Sequence, residues 1–333
     1  MKRLLSLLPL ATLCLAVPAV GQVTFTEDFD DGAASTRWSA PIVDSELGTF
    51  DGSVDYSYDY GAIGIPAAPG GGSATGVLMQ VNLTDDGPVD EGESVAIIPE
   101  SISLPEGSYK LTMDVYLNWE AQSSGTTEYG IFGVHTAAVN APADNALNDD
   151  VPFRFGLSQG NGLAWSVDGD AGSSTDIFRF EDPNNGNAGS ENGLGSFDDL
   201  APGSIPGVST GPDALGPGND WIQVEIERFG KRVSFSINGV VIDEILDLSD
   251  DFVDGSIMLG YGDWFNSAGT PDLLAGPDPT PLDPSDGPFG DAFPGLAHFI
   301  IYDNVTITAQ VPEPTSLMIA ALAIGGLGAL RRR

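Results

Sequence analysis

Asn238-Gly239 stands between Phe235-Ser236-Ile237 and Val240-Val241-Ile242. Both turn residues tolerate positive φ, so this dipeptide predicts a two-residue hairpin between antiparallel strands. The run before it keeps a period of two. Ile222, Val224 and Ile226 alternate with Gln223, Glu225 and Glu227, and Phe229-Gly230-Lys231 supplies the preceding turn. Residues 221–245 are therefore predicted to form a three-stranded antiparallel meander. Each strand buries one face and turns the other to water or to a partner.

The same period recurs along the chain. Tyr109, Leu111, Met113, Val115 and Leu117 share one face, and Phe299, Ile301, Asp303, Val305 and Ile307 share another. Further strands are expected at 77–83, 95–104, 129–136, 153–157, 163–167, 177–180 and 257–261. No long stretch has a convincing 3.6-residue period. A dozen short strands predict an all-β, two-sheet antiparallel sandwich in one domain, residues 22–310. Residues 182–220 are rich in Gly, Asn, Ser and Pro, and residues 267–294 carry seven prolines. Both are expected to be long loops with little regular structure.

The two ends differ from this middle. Met1-Lys2-Arg3 is basic, residues 4–20 are apolar, and Ala19-Val20-Gly21 offers small residues for cleavage. Residues 1–21 are expected to be a signal peptide forming a short helix, removed on export. At the other end, Val311-Pro312-Glu313-Pro314 precedes an apolar run over 317–330 and then Arg331-Arg332-Arg333. This run is expected to form a C-terminal transmembrane helix, with the arginines on the cytoplasmic side. The order of parts resembles the PEP-CTERM sorting signal over residues 311–333. That resemblance implies an exosortase as processing partner and a place at the cell surface or in the extracellular matrix, with a transient or permanent membrane anchor.

Charge narrows the function. The chain has 48 Asp and Glu against 12 Lys and Arg, a net charge of −36. Five of the twelve bases lie in the two terminal segments. Residues 22–310 therefore hold 47 acids and seven bases, a net charge of −40. That balance argues against a nucleic-acid partner, because phosphate contacts need clustered bases. The one cysteine, Cys14, falls inside the signal segment, so neither disulfides nor thiol chemistry is expected of the mature protein.

Several phrases of the middle resemble known modules. The run from Trp221 through Asn238-Gly239 looks like the central hairpins of concanavalin A-like and laminin-G-like jelly rolls. Phe29-Asp30-Asp31-Gly32 with Trp38, and Phe299 to Val305 carrying Asp303, resemble the opening and closing phrases of jelly-roll carbohydrate-binding modules. The resemblance implies paired terminal strands that bring Asp30 and Asp303 together. Two carboxylates with nearby carbonyls suit a hard cation, so one structural calcium ion is expected there. Sugar rings stack on exposed aromatics, and Trp264 beside Asp263 is the expected glycan platform. Trp119, Trp165, Tyr56, Tyr58 and Tyr60 are further candidates.

No catalytic set is convincing. Glu225 and Glu227 are the best-placed carboxylate pair, but they do not follow the Glu-x-Asp-x-x-Glu pattern of the laminarinase-type enzymes of this fold. His135 and His298 have no nucleophile partner in the pattern. The expected function is therefore non-enzymatic: an exported surface or matrix protein that binds or is embedded in exopolysaccharide. The alternatives are a structural acidic envelope protein without glycan specificity, and a polysaccharide hydrolase or lyase.

Overall fold

A computed structural model describes residues 22–45, 50, 52–81, 93–105, 107–118, 128–136, 162–168, 175–181, 191–212, 216–218, 220–247, 255–263 and 299–310. Fifteen strands occur among them. Eight form one sheet: β1 (Gln22–Glu27), β3 (Ser53–Asp59), β4 (Thr75–Gln80), β6 (Ser108–Asn118), β11 (Asp220–Phe229), β12 (Arg232–Ile237), β13 (Val240–Ile245) and β15 (Phe299–Ala309). Seven form the other: β2 (Ile42–Ser45), β5 (Glu93–Ile97), β7 (Glu128–Thr136), β8 (Leu163–Asp168), β9 (Ile177–Glu181), β10 (Glu191–Gly195) and β14 (Ser256–Asp263). The first sheet runs β13-β12-β11-β6-β15-β4-β3, and the second β10-β9-β8-β7-β14-β5-β2. Every strand pairing is antiparallel.

The alternation explains the layers. Leu111, Met113, Val115 and Leu117 of β6 and Val224 and Ile226 of β11 face Phe132 and Val134 of β7 and Leu259 and Tyr261 of β14 in one buried core. Each such large side chain contributes roughly 1.5–3 kcal/mol by leaving water. The meander stands as β11-β12-β13. Asn238 and Gly239 have φ of 48° and 78°, the left-handed geometry that a two-residue turn of this kind needs.

One feature of the first sheet positions the site. β6 pairs with β15 along almost its whole length. The opposite flank of β15 is divided: β4 takes Ile300, Ile301 and Tyr302, and β1 takes Val305 to Ala309. Asp303 and Asn304 lie at the seam. The register shifts there, and Asn304 adopts a φ of 52°. This is a β-bulge, which bends a strand and re-aims its side chains.

Four expectations are corrected. Among the described residues the helical elements are 3-10 turns of three or four residues, Ala34–Thr36, Tyr60–Ile63 and Phe197–Asp199. None is long and apolar enough to cross a membrane. The N-terminal signal helix and the C-terminal transmembrane helix therefore do not belong to the fold as described; residues 1–21 and 311–333, where they were expected, lie outside the described residues. The apolar run over 317–330 is fourteen residues with three glycines. A span needs about 20, and glycine disfavours helix. The membrane partner and the membrane-anchored localisation inferred from that run are withdrawn with it.

The segment 182–220 is also more ordered than its composition suggested. It contributes the edge strand β10 and buries Phe197, Ile205 and Val208 in the core. Asp176 organises it, accepting hydrogen bonds from Ser196 Oγ at 2.8 Å and from the Phe197 amide at 2.7 Å. Residues 153–157 and 267–294 lie outside the described residues.

Candidate functional site

The seam in β15 gathers an unusual set of polar groups. Asp303 faces outward, between the positions of Ile301 and Thr306, and its ladder neighbour on β6 is Asp114. Both are only 1% exposed. Two buried carboxylates side by side repel each other and lose their hydration, so both need compensation.

Part of it comes from the loop that follows β3. That loop folds back over the outer face of the first sheet, where Tyr60, Ile65, Ala68, Leu78, Tyr116, Trp221, Phe299 and Ile301 form a small apolar cluster. Trp221 pins it by donating its indole hydrogen to the Pro66 carbonyl at 2.9 Å. Tyr60 donates its hydroxyl hydrogen to Asp303 Oδ2 at 2.8 Å, and the Asn304 amide donates to Asp303 Oδ1 at 2.7 Å. The Gly70 amide and Asn304 Nδ2 both donate to Asp114 Oδ2, at 2.8 and 2.9 Å. A Cβ on Gly70 would come within 2.7 Å of Asp114 Oδ2, so this close approach requires glycine.

The compensation is incomplete. Asp114 Oδ1 is buried and has no hydrogen-bond partner among the described residues. Burial pushes the Asp303 carboxyl up to about 7, against the pull of Tyr60 and the Asn304 amide, with Asp30 and Asp114 adding to the rise. Burial likewise raises the Tyr60 hydroxyl well above its ordinary value.

Asp30 joins this site only at its edge. Its side chain is exposed and accepts a hydrogen bond from Ser73 Oγ, in the same loop whose Ser73 carbonyl accepts from Tyr60 at 3.3 Å. The expected neighbour of Asp303 was Asp30, but its direct ladder neighbour is Asp114. Only register identifies Asp114, which in the sequence is one more polar residue on an alternating strand. Among the described residues no group of three or more His, Cys, Asp or Glu is disposed to hold a metal ion. The oxygen set present is two carboxylates and the Asn304 amide, chemistry that matches a hard cation but is short of a full shell.

The expected glycan platform is placed differently. Asp263 ends β14, fully buried on the face that carries Tyr261 and Leu259. It lies between Glu93 on β5 and Glu128 on β7 in a lateral row of three buried acids. Burial raises the Tyr261 hydroxyl well above its usual range, with Glu128 and Asp263 adding to it. Trp264 lies outside the described residues, as do Trp119 and His298. His135 belongs to β7.

The remaining aromatic candidates are mostly structural. Trp165 is fully buried and stacks on Phe235, with centroids 5.2 Å apart and an 8° tilt. Trp38 stacks on Phe29 and donates to Glu27, which also holds Arg37. Tyr56 is half-buried, its hydroxyl donating to the Ser39 carbonyl at 2.6 Å. Of the carboxylate pair on β11, Glu225 forms an ion pair with Lys110, and Glu227 accepts from Gln310 Nε2 at 2.5 Å.

Comparisons place this sandwich beside distant solved structures. A Bacillus subtilis protein of unknown function with a galectin-like fold is 9% identical, with a TM-score of 0.44, over 87% of this chain and 97% of that one. The carbohydrate-binding module CBM66 from Bacillus subtilis is 12% identical, with a TM-score of 0.33, over 80% and 96%. The transglycosylase Crh5 in complex with NAG is 14% identical, with a TM-score of 0.36, over 90% of each chain. These likenesses are too distant to assign an activity. No curated protein matches the chain. Residues 310–333 match the PEP-CTERM protein-sorting motif, so β15, the last of the described strands, runs directly into a sorting signal.

Proposed function

We propose that this chain is an exported, non-enzymatic surface or matrix protein whose jelly-roll sandwich binds or is embedded in exopolysaccharide. The observation that carries it is continuity: the sandwich closes with β15 at Ala309, and the sorting motif begins at residue 310. The folded domain is thus the cargo of the sorting signal, which an exosortase-type enzyme processes. Its net charge of −40 suits a hydrated, cation-rich matrix.

In this reading Asp114 and Asp303 share one calcium ion with Asn304, and Asp30 lies at the outer edge. The unsatisfied Asp114 Oδ1 supports it, because a buried carboxylate oxygen needs a proton, a donor or a cation. The ion fixes the loop over 60–74 to the sheet. Calcium should raise the melting temperature of the wild-type chain, and Asp114→Asn should abolish the rise. A wild type indifferent to calcium removes the ion from the proposal.

Affinity electrophoresis of the full chain against acidic and neutral glycans tests the binding itself. Retardation by at least one glycan is expected. No retardation by any leaves the structural acidic envelope protein, a reading that the burial of Trp38, Trp165 and Trp221 favours. The best-placed carboxylate pair for a hydrolase or lyase, Glu225 and Glu227, is engaged by Lys110 and Gln310. Release of reducing ends that a Glu225→Gln/Glu227→Gln double variant abolishes would replace the non-enzymatic reading.

A further inference from the structure

The chain leaves the sandwich at a surface with its own character. Gln310 donates its amide to the Ser108 carbonyl at 2.9 Å, which extends the β15–β6 ladder by one residue. Ser108 is the ladder partner of Phe229, and Phe229 of Arg232. Gln310, Ser108, Phe229 and Arg232 thus form one lateral row across four strands. Glu227 and Ser234, two residues inward on the same face, line a shallow cleft of about 220 Å³ together with Phe229 and Arg232. Phe229 is 59% exposed, and Leu246, just beyond β13 at the far end of the row, is 70% exposed. These are two of the four large apolar side chains exposed among the described residues.

Charge gathers here as well. Lys110, Arg228, Lys231 and Arg232 all lie at this end of the sheet, four of the seven bases in residues 22–310. Glu313 is the one acid in residues 311–333. Glu227 draws the Gln310 side chain toward the cleft. Pro312 and Pro314 lack backbone donors, so this segment cannot continue the ladder as a paired strand. An extended proline-containing segment instead offers its rings to an aromatic surface.

We propose that the sorting motif Val311-Pro312-Glu313-Pro314 seats on this row, its prolines against Phe229 and Glu313 toward Lys231 and Arg232. The reach is sufficient. Two interstrand steps separate Gln310 from Phe229, roughly 10 Å, and three extended residues cover about 10 Å. The ion pairs of Lys231 with Asp247 and of Arg232 with Glu244 are solvent-facing and weak enough to exchange. The sorting enzyme then meets its motif held against a folded domain and must lift it from Phe229 before processing.

Paired cysteines test this in the full chain carrying Cys14→Ser, so that introduced thiols are the only ones. One pair is Leu246→Cys with Thr315→Cys. The control is Val23→Cys with Thr315→Cys. Val23 is 54% exposed and lies on β1, directly beside β15 on the opposite flank, as the partner of Thr308. A tail without a seat would reach position 23 first, because position 246 lies four strands away. The expected result is about tenfold faster disulfide formation in the Leu246 pair, slowed when Phe229→Ser is added. Equal or faster closure in the Val23 pair overturns the proposal, and so does a Leu246-pair rate that Phe229→Ser leaves unchanged.

Discussion

Asp243 on β13 accepts the indole hydrogen of Trp165 on β8 at 2.9 Å, across the two sheets. The same carboxylate accepts two hydrogen bonds from Arg179 Nη1, at 2.9 and 3.1 Å. An edge strand of the first sheet is thereby fastened to the second sheet beside the Trp165–Phe235 stack. Asp243→Ala should lower unfolding stability by about 2–4 kcal/mol, since it removes a carboxylate partner from a largely buried guanidinium and from an indole N–H. Urea denaturation of the two proteins measures it. Asp243→Asn should keep the indole bond and lose less.

Asp303 gives the fold a pH dependence of definite sign. Its carboxyl moves from the ordinary 3.8 to about 7 in the folded state. Between those values the folded chain holds a proton that the unfolded chain has released, so stability falls as pH rises. The contribution is intact below the unfolded value and is lost as pH passes through about 7. In calcium-free buffer with chelator, melting temperatures from pH 4 to 8 should decline across this window, and Asp303→Asn should flatten the decline. A calcium-free wild-type profile that rises over the same range would contradict the assignment.

Gly76 lies in β4 under β15. A Cβ there would meet Ile301 Cγ2 at 2.7 Å and the Tyr302 carbonyl oxygen at 2.8 Å. The carbonyl belongs to a paired strand and has little room to give. Gly76→Ala should therefore destabilise by about 1–3 kcal/mol, the usual range for overpacking. Thermal unfolding of this variant beside Gly72→Ala, where the added Cβ meets nothing within 4 Å, separates crowding from a general effect of losing glycine.

Asn238 does more than turn a hairpin. Its Oδ1 accepts from the Gln223 amide at 2.7 Å, and its Nδ2 donates to the Pro206 carbonyl at 2.6 Å. Asn238→Asp keeps the acceptor and loses the donor, which should loosen residues 201–212 while leaving the meander paired. Hydrogen exchange should report faster protection loss at Ser204 and Val208, whose amides bond within that loop.

What the sequence disclosed follows from which interactions are local. The Asn238-Gly239 turn was legible because two adjacent residues carry its whole requirement. The inward faces of β6 and β11 were legible because a period of two needs no knowledge of the partner strand. That of β15 was not, because the bulge at Asp303 and Asn304 shifts its phase: Phe299 and Ile301 turn outward, while Ile300, Tyr302, Val305 and Ile307 turn inward. Asp114 was not, because its importance arises only when β15 pairs with β6 in one register. Tyr60 was not, because periodicity does not say that the loop after β3 folds back over the outer face of the sheet. The stacking of Trp165 on Phe235 was not, because the pattern of one strand does not name the residue that faces it across the core. Phe197, Ile205 and Val208 were hidden by a Gly- and Pro-rich setting in which isolated apolar residues have no period to betray them.

The divided flank of β15 bears on the order in which the molecule can assemble. This strand joins β6 and its neighbours to both β4 and β1, yet it is the last of the described strands in chain order. A chain without residues 299–309 would leave an open gap in its first sheet, with β6, β4 and β1 each lacking a partner strand there. The sorting motif follows immediately behind them. A chain cut before residue 299 thus lacks both the strand that joins these elements and the sorting motif. Such a coupling favours delivery of finished domains over fragments.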